Sequence, residues 1–260
     1  MAEATVTSGL SLVIISFQEA ANIERCIQSV GELADEVVVV DSGSTDETRA
    51  LAATLGARVL ERPFTGYRDQ KLWAIEQASQ EWILSLDADE ALGPALRESI
   101  KKAKDNWAYD GYYLNRLNRL KDRWIHHGAW YPDRKYRLFR RGAVEMPPAI
   151  IHEGFRPTAS VRVGRLSGDI LHYTNDSLES RVATQHKFSK LAAQDLLAKG
   201  KKGSLWRLWW KPKGRFLAEY IWKGGWRDGF YGYYIAKTSS QYVFWREAKL
   251  LELSRAATTK

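Results

Sequence analysis

Two rhythms of apolar and polar positions alternate over the first hundred residues. LSLVIISF (10–17) is a short apolar run of strand length. In the stretch after it, Ile23, Ile27 and Val30 recur at i, i+4 and i+7, the spacing of an amphipathic helix, with Asn22 placed to cap it. The rhythm then repeats. EVVVVD (36–41) is a continuous β-branched run, the kind that a parallel strand buried on both faces displays. Ser44 and Glu47 have the spacing of a capping box opening a second helix, and Gly56 is placed to close it. ARVLER (57–62) predicts a third strand, residues 67–79 a third helix and EWILSLD (81–87) a fourth strand, while Pro94 suits the first turn of another helix.

Strands and helices joined by short links imply a doubly wound α/β half, which takes ligands at the carboxyl ends of its strands. Asp41 and Asp87 both stand at such ends. From 111 to 173 the texture changes to segments such as YYLNRLNR, KYRLFRR and SVRVGRLSGDILHY, which predict a mixed-sheet extension. A long amphipathic helix is expected over 177–198, capped near Ser177 and stopped by Gly200. These elements predict one domain over 1–200, with halves 8–110 and 111–200, and a helical appendage over 201–260.

A chain of 260 residues with 45% hydrophobic content can bury one sizeable core. Its single cysteine, Cys26, cannot form an internal disulfide. The opening residues lack the basic and apolar regions of a secretory signal, and the longest apolar runs have strand length, so a cytoplasmic protein that does not span a membrane is expected. The net charge of +8 is confined to one region. Residues 201–260 hold 13 Lys or Arg and 4 Asp or Glu, a balance of +9, which leaves −1 for the rest. Six of the eleven tryptophans lie there too. Basic residues interleaved with aromatics suit a bilayer interface; they also suit a nucleic-acid platform, or the core of a helical appendage with its charges solvated. Six fully exposed tryptophans would invite aggregation, so part of the aromatic set is expected to be core.

Two acidic strand ends carry the candidate chemistry. In LSLDADE, Asp87 and Asp89 flank one small residue after a buried strand, where two carboxylates can face a hard cation that shares its shell with phosphates. A solvated acidic turn with Asp89 capping the next helix is the plainer reading. In VVVVDSGSTDET, Asp41 is followed by Ser42, Gly43 and Ser44 at a helix start, where amides and hydroxyls are available to a nucleotide and a carboxylate can accept the N3–H of uracil. SFQEAANIERC contains no glycine, which argues against a dinucleotide oxidoreductase and a nucleotidyltransferase. A nucleic-acid-binding protein would use the basic tail and leave the acidic strand ends without a purpose.

LSLVIISFQEAANIERCIQSV, VVVVDSGSTDET and SLDADE, in that order and spacing, resemble glycosyltransferase family 2, the inverting nucleotide-sugar glycosyltransferases with the GT-A fold. QKLWAIEQASQEWILSLDADE, GAWYPDRKYRLFRRG, IIHEGF and DILHYT are similar to the branch that includes lipopolysaccharide inner-core β-glucosyltransferases acting on a heptose. The resemblance implies a GT-A fold, a Rossmann-like nucleotide-binding half with a mixed-sheet extension, plus the helical appendage. It implies a UDP-sugar donor, glucose first, a divalent metal, Mg2+ or Mn2+, and a glycolipid acceptor met at the cytoplasmic face of the inner membrane. Another polysaccharide or a protein acceptor stays open, as does the oligomeric state, and no nucleic acid is expected. By the same resemblance Asp41, Ser42, Glu19, Arg68, Lys71 and Asp87 would bind the donor, and Asp89, Asp87 and His172 the metal. Gln18 and Glu19 stand where many relatives have Asn-Glu, and Leu72 where they have Asn.

Inverting transfer needs a base opposite the leaving group. Glu153, after the apolar PPAII segment that would raise a carboxylate's pKa, is the candidate, with His152 to orient it or to replace it. Trp130 and Tyr131 would pack against sugar C–H faces, with Arg137 on hydroxyls or phosphates. The same residues also fit plain core and an edge strand.

Overall fold

The computed structural model describes residues 8–147, 154–174 and 178–258. In chain order its strands are β1 (Leu10–Ser16), β2 (Glu36–Asp41), β3 (Arg58–Glu61), β4 (Trp82–Asp87), β5 (Glu90–Leu92) and β6 (Gly111–Leu120). There follow β7 (Arg123–Ile125), β8 (Asp133–Arg140), β9 (Val144–Glu145), β10 (Arg156–Pro157) and β11 (Val163–His172). The helices are α1 (Ile23–Val30), α2 (Thr48–Thr54), α3 (Tyr67–Gln77), α4 (Pro94–Asp105), α5 (Leu178–Ala198), α6 (Leu205–Leu217) and α7 (Gly229–Thr258).

The apolar runs read from the sequence form the centre of one mixed sheet, ordered β3-β2-β1-β4-β8-β6-β11-β5, with β7 paired to β6. The first four strands are parallel, in a register that aligns Ser16 with Asp41 and Ile15 with Asp87. The carboxyl ends carrying the acidic residues therefore lie side by side. Because successive side chains on a strand point to opposite faces, Leu10, Leu12, Ile14 and Val39 pack with α1 and α4, while Val13, Val38 and Val40 pack with α3. Each such fully buried aliphatic contributes about 1.5–3 kcal/mol, and this two-faced burial is what the unbroken β-branched run of β2 encodes. Beyond β4 the sheet turns antiparallel, with Trp82 opposite Arg140 on β8 and His172 of β11 opposite Glu90 of β5. The mixed α/β architecture with C-terminal helices is the fold class expected.

Gly168 shows how closely helix and sheet approach. It sits at φ +94° on β11, and a Cβ there would stand 2.2 Å from the backbone nitrogen of Leu96 in α4. Two helix starts differ from the expectation. Ser44 turns its amide and hydroxyl to Asp41 instead of capping α2, and Asp46 accepts from the Thr48 amide at 3.1 Å. Asn22 does not cap α1 with its side chain, which donates to Glu19 at 2.7 Å.

Contacts divide the chain into two compact units, and the division differs from the boundary expected near Gly200. One unit comprises the residues up to 116 with 134–147 and 154–173; the other comprises 117–133 and the chain from 174 onward. Helix α5 thus belongs with α6 and α7, because α5 and α6 both pack on α7. In this second unit Leu120, Ile125 and Ile235 are buried, with Trp130, Leu178, Tyr231 and Tyr234 packed against them. Much of the tail's aromatic set is turned outward instead of into that core. Trp206, Trp209, Trp210, Trp222 and Trp226 are each at least half exposed. No described helix is long and apolar enough to cross a membrane.

Candidate active site

The β1–α1 loop is fastened to the β2–α2 loop by its polar side chains. The Gln18 amide donates to Ser44 Oγ at 2.9 Å, the Glu19 amide to Thr48 Oγ1 at 2.8 Å and the Ala20 amide to Asp46 Oδ2 at 3.1 Å. Gln18 accepts the left-handed φ of +58° that this clasp requires. Beneath it Asp41 is fully buried and accepts from Ser16 Oγ at 2.8 Å, from the Gly43 and Ser44 amides at 3.0 and 2.7 Å, and from Ser44 Oγ at 2.6 Å. Its carboxylate holds the loop that presents Ser42.

A cavity of about 570 Å3 opens at these strand ends, lined by Ser16, Phe17, Glu19, Ser42, Phe64 and Tyr67 together with Asp87, Asp89 and His172. Phe17, Phe64 and Tyr67 are all more than half exposed, and Phe64 meets Tyr67 edge-on at 5.0 Å between ring centroids. Flat exposed rings beside hydroxyls and carboxylates can take a base or a sugar face.

The acidic turn is held by cations. Asp87 Oδ1 lies 2.5 Å from Lys71 Nζ and Oδ2 2.7 Å from the Arg137 guanidinium. Behind it Glu90 is fully buried, accepts from the Asp87 amide at 3.0 Å, and pairs with Arg137 at 3.3 Å and Arg116 at 3.2 Å. Burial pushes the Asp87 carboxyl up, but Arg137 and then Lys71 outweigh it and hold it well below the usual range. Burial and the Arg137 charge push Lys71 down, against the pull of Asp87. Glu19 is raised by burial and by the charges of Asp89, Asp46 and Asp87, against a hydrogen bond from Asn22. Burial also pushes the Cys26 thiol well up; its sulfur lies 3.6 Å from the Asp87 carbonyl, beneath the turn.

Asp89 Oδ2 and His172 Nε2 stand 3.2 Å apart, brought together by the pairing of β5 with β11 and by the Tyr173 amide on the Asp89 carbonyl at 2.9 Å. Among the described residues no three His, Cys, Asp or Glu side chains converge as a ready cation cage. An oxygen and an imidazole nitrogen on the wall of an open cavity fit a divalent cation that completes its shell from substrate phosphates.

The sequence profile of Glycosyl transferase family 2 matches residues 11–157, more than half of the chain, a span that holds every residue lining this cavity except His172. The chain belongs to glycosyl transferase family 2. The lipopolysaccharide core biosynthesis glycosyltransferase LpsC of Rhizobium meliloti (strain 1021) is 35% identical over 257 residues, covering 94% of this chain and 92% of that protein. An uncharacterized glycosyltransferase of Rickettsia bellii (strain RML369-C) is 33% identical over 267 residues, covering 96% and 88%. Among solved structures, glucosyl-3-phosphoglycerate synthase from Mycobacterium tuberculosis, in complex with Mn2+, UDP and glucosyl-3-phosphoglycerate, aligns with 25% identity and a TM-score of 0.36, over 43% of this chain and 44% of that one.

As a member of the family the chain is a glycosyltransferase, with a sugar donor and an acceptor as its substrates. Of the residues singled out from sequence, Glu19, Ser42, Asp87, Asp89 and His172 share the one cavity, and Lys71 reaches it through Asp87. Arg68, expected to face the diphosphate, donates to the Met146 carbonyl at 2.7 Å and pairs with Asp69 at 3.0 Å. Arg137, expected on the acceptor, is 5% exposed and occupied by Asp87 and Glu90, so it positions the acidic turn instead. Trp130 and Tyr131 lie in the other unit, where Arg181 stacks 3.9 Å over the Trp130 ring and His126 meets Tyr131 edge-on. His152 and Glu153 lie outside the described residues. The sequence reading missed Glu90, although it directly follows Asp89, because nothing local distinguishes a buried carboxylate from a solvated one. It also missed Phe17, Phe64 and Tyr67, which only the sheet brings together.

Proposed function

We propose that the chain transfers a hexose, glucose first among the candidates, from a UDP-sugar to a hydroxyl of a glycolipid acceptor, the inner core of lipopolysaccharide, with inversion. The observation that carries this reading is the convergence of Asp87, Asp89, His172, Glu19 and Ser42 on one cavity beside exposed aromatic rings. Phe64 and Tyr67 offer the uracil an edge to lie on, and Ser42 a hydroxyl to the nucleoside. Asp89 and His172 would hold a divalent cation, whose chemistry is to neutralise charge on the departing diphosphate. Lys71 and Arg137 keep Asp87 ionised and fixed beside it, and Asp41 keeps the Ser42 loop in shape.

Glu153, with His152 beside it in sequence, is assigned as the base. It takes the acceptor hydroxyl proton as that oxygen bonds to the anomeric carbon, and UDP leaves with the electron pair of the broken C–O bond. Access to a glycolipid is supported by α6, where Leu205, Trp206, Trp209 and Trp210 are at least half exposed and Lys213 lies 3.5 Å over the Trp209 ring. Aromatics with adjacent cations suit the headgroup depth of an anionic bilayer. Similarity to LpsC supports the lipopolysaccharide acceptor.

Calorimetric titration with UDP and UDP-sugars, with and without Mn2+ or Mg2+, tests the donor half. Metal-dependent binding that Asp89→Ala abolishes, with the circular dichroism spectrum unchanged, is expected. Absence of binding to every nucleotide under both conditions overturns the reading.

A further inference from the structure

Three segments meet behind the cavity wall to which Ser42 belongs. The Arg62 amide, just past β3, donates to the Asp41 carbonyl at 2.9 Å, and the Arg62 guanidinium donates to the Asp69 carbonyl in the first turn of α3 at 2.9 Å. This fastening brings Gln70 of α3, fully buried, against Ser42 just past the end of β2. The Gln70 amide nitrogen lies 3.2 Å from Ser42 Oγ and 3.3 Å from the Arg62 carbonyl oxygen.

The carbonyl fixes the polarity of both contacts. A peptide oxygen only accepts, so the end of the Gln70 side chain facing it is the NH2, whose two N–H groups match the two acceptors. Ser42 Oγ therefore accepts from Gln70, and its own proton is directed elsewhere. Among the described residues that hydroxyl has no other hydrogen-bond partner, and Ser42 lines the cavity. The neighbouring serines behave differently, since Ser16 and Ser44 donate their hydroxyl protons to Asp41 at 2.8 and 2.6 Å. Of the three, Ser42 is the one with a proton to offer a ligand.

The other end of the Gln70 amide is a second, independent observation. Gln70 Oε1 is buried and has no hydrogen-bond partner among the described residues. An orphaned buried carbonyl destabilises the fold, and an apolar side chain of the same length would avoid it. Packing alone therefore does not account for an amide at this position, whereas its two N–H bonds do. The carboxylates of Asp87 and Asp89 on the same cavity only accept when ionised, so a nucleotide edge made of carbonyl, ribose and phosphate oxygens needs donors from elsewhere on the wall.

We propose that Gln70 is a positioning residue for the sugar donor: by occupying a lone pair of Ser42 Oγ, it turns the Ser42 hydroxyl into a hydrogen-bond donor to an acceptor oxygen of the bound nucleotide. This role rests on the nucleotide-sugar reading above and adds the polarity with which that site reads its ligand. Gln70 itself touches no substrate.

A double-mutant cycle in the full chain tests it, read as calorimetric UDP affinity with Mg2+ at saturation, with near-UV circular dichroism to report the fold. Ser42→Ala should weaken UDP about tenfold, which is roughly 1.4 kcal/mol, the size of one hydrogen bond. Gln70→Glu draws the Ser42 proton toward itself and away from the ligand, and should match that loss at about pH 8. Gln70→Met removes the bond without reversing it and should cost about threefold, because the hydroxyl keeps its proton but not its direction. On the Ser42→Ala background either substitution should change UDP affinity by less than about twofold, since nothing remains for position 70 to orient. Acidification to about pH 5 should return Gln70→Glu toward wild type, each compared at the same pH, because burial raises its carboxyl and the protonated acid donates again. Gln70→Met should keep its ratio to wild type. An amide with a merely structural role would give equal losses on both backgrounds and no such recovery.

Equal UDP affinity of wild type and Gln70→Glu at about pH 8 overturns the assignment, as does a position-70 loss undiminished on the Ser42→Ala background. If Gln70→Glu does not fold, the cycle with Gln70→Met decides it. Wild type that binds no UDP with any metal sinks the nucleotide-sugar reading and this role with it; wild type that binds UDP with an additive cycle sinks this role alone.

Discussion

Replacing Arg137 by Gln tests whether the acidic turn depends on its buried cation. Removing one partner of a buried ion pair ordinarily costs about 3–5 kcal/mol, because the other charge is left uncompensated. Here each carboxylate keeps a second cation, Lys71 at 2.5 Å for Asp87 and Arg116 at 3.2 Å for Glu90. The glutamine amide can also restore about one hydrogen bond, worth roughly 1 kcal/mol. The expected cost is therefore about 2–3 kcal/mol. Urea unfolding followed by near-UV circular dichroism measures it, with calorimetric UDP affinity as the functional readout. Arg116→Gln alone should cost less, since Glu90 retains Arg137. The double variant should exceed the sum of the two, because Glu90 then keeps neither cation and the two arginines couple through it. A loss below about 0.5 kcal/mol for Arg137→Gln, or strict additivity in the double variant, refutes this account of the cluster.

Other expectations follow from single sites. Glu36 accepts from Ser11 Oγ at 2.6 Å and the Ser79 amide at 2.7 Å and pairs with Arg58 at 3.0 Å; despite burial, which raises it, these bonds bring its pKa from 4.5 down to about 2. Since the folded value is the lower one, this stabilisation is present above about pH 4.5 and fades as pH falls toward 2, so Glu36→Gln should cost about 1–2 kcal/mol at pH 7 and almost nothing near pH 2 in urea titrations. Gly168→Ala should destabilise by more than about 2 kcal/mol, through both its φ of +94° and the 2.2 Å approach to Leu96; a change of melting temperature under 2 °C would contradict that, about 2–4 °C being expected per kcal/mol. Asp41→Asn replaces an acceptor of four hydrogen bonds by one that must point two N–H donors at donors, and should cost about 2–4 kcal/mol together with UDP affinity. Unchanged UDP binding in a folded Asp41→Asn protein would free the nucleotide loop from that residue. Glu153→Gln is expected to lose turnover while donor affinity is retained, and surviving turnover would move the base to His152.

The alternating rhythm of the first hundred residues, and the acids at the ends of β2 and β4, were legible in the sequence because each is a local pattern. An unbroken β-branched run such as Val37–Val40 is stable only where both sheet faces are covered, and Pro94 and Gly56 mark helix boundaries through their own backbone restrictions. Family membership was legible too, since it rests on the order and spacing of those same motifs. Side-chain partners were not. Whether Ser44 caps a helix or clasps Asp41, and whether Arg137 meets a substrate or Asp87, depends on which strands become neighbours, and β8 returns to β4 from some fifty residues away. The sequence by itself determined that acidic residues would end parallel strands and that the chain would close on a basic, aromatic-rich segment. Only the tertiary structure decided that His172 would face Asp89, that Arg137 would be buried, and that Gln70 of α3 would reach Ser42, because those meetings are set by strand order and helix packing over distances no local pattern spans.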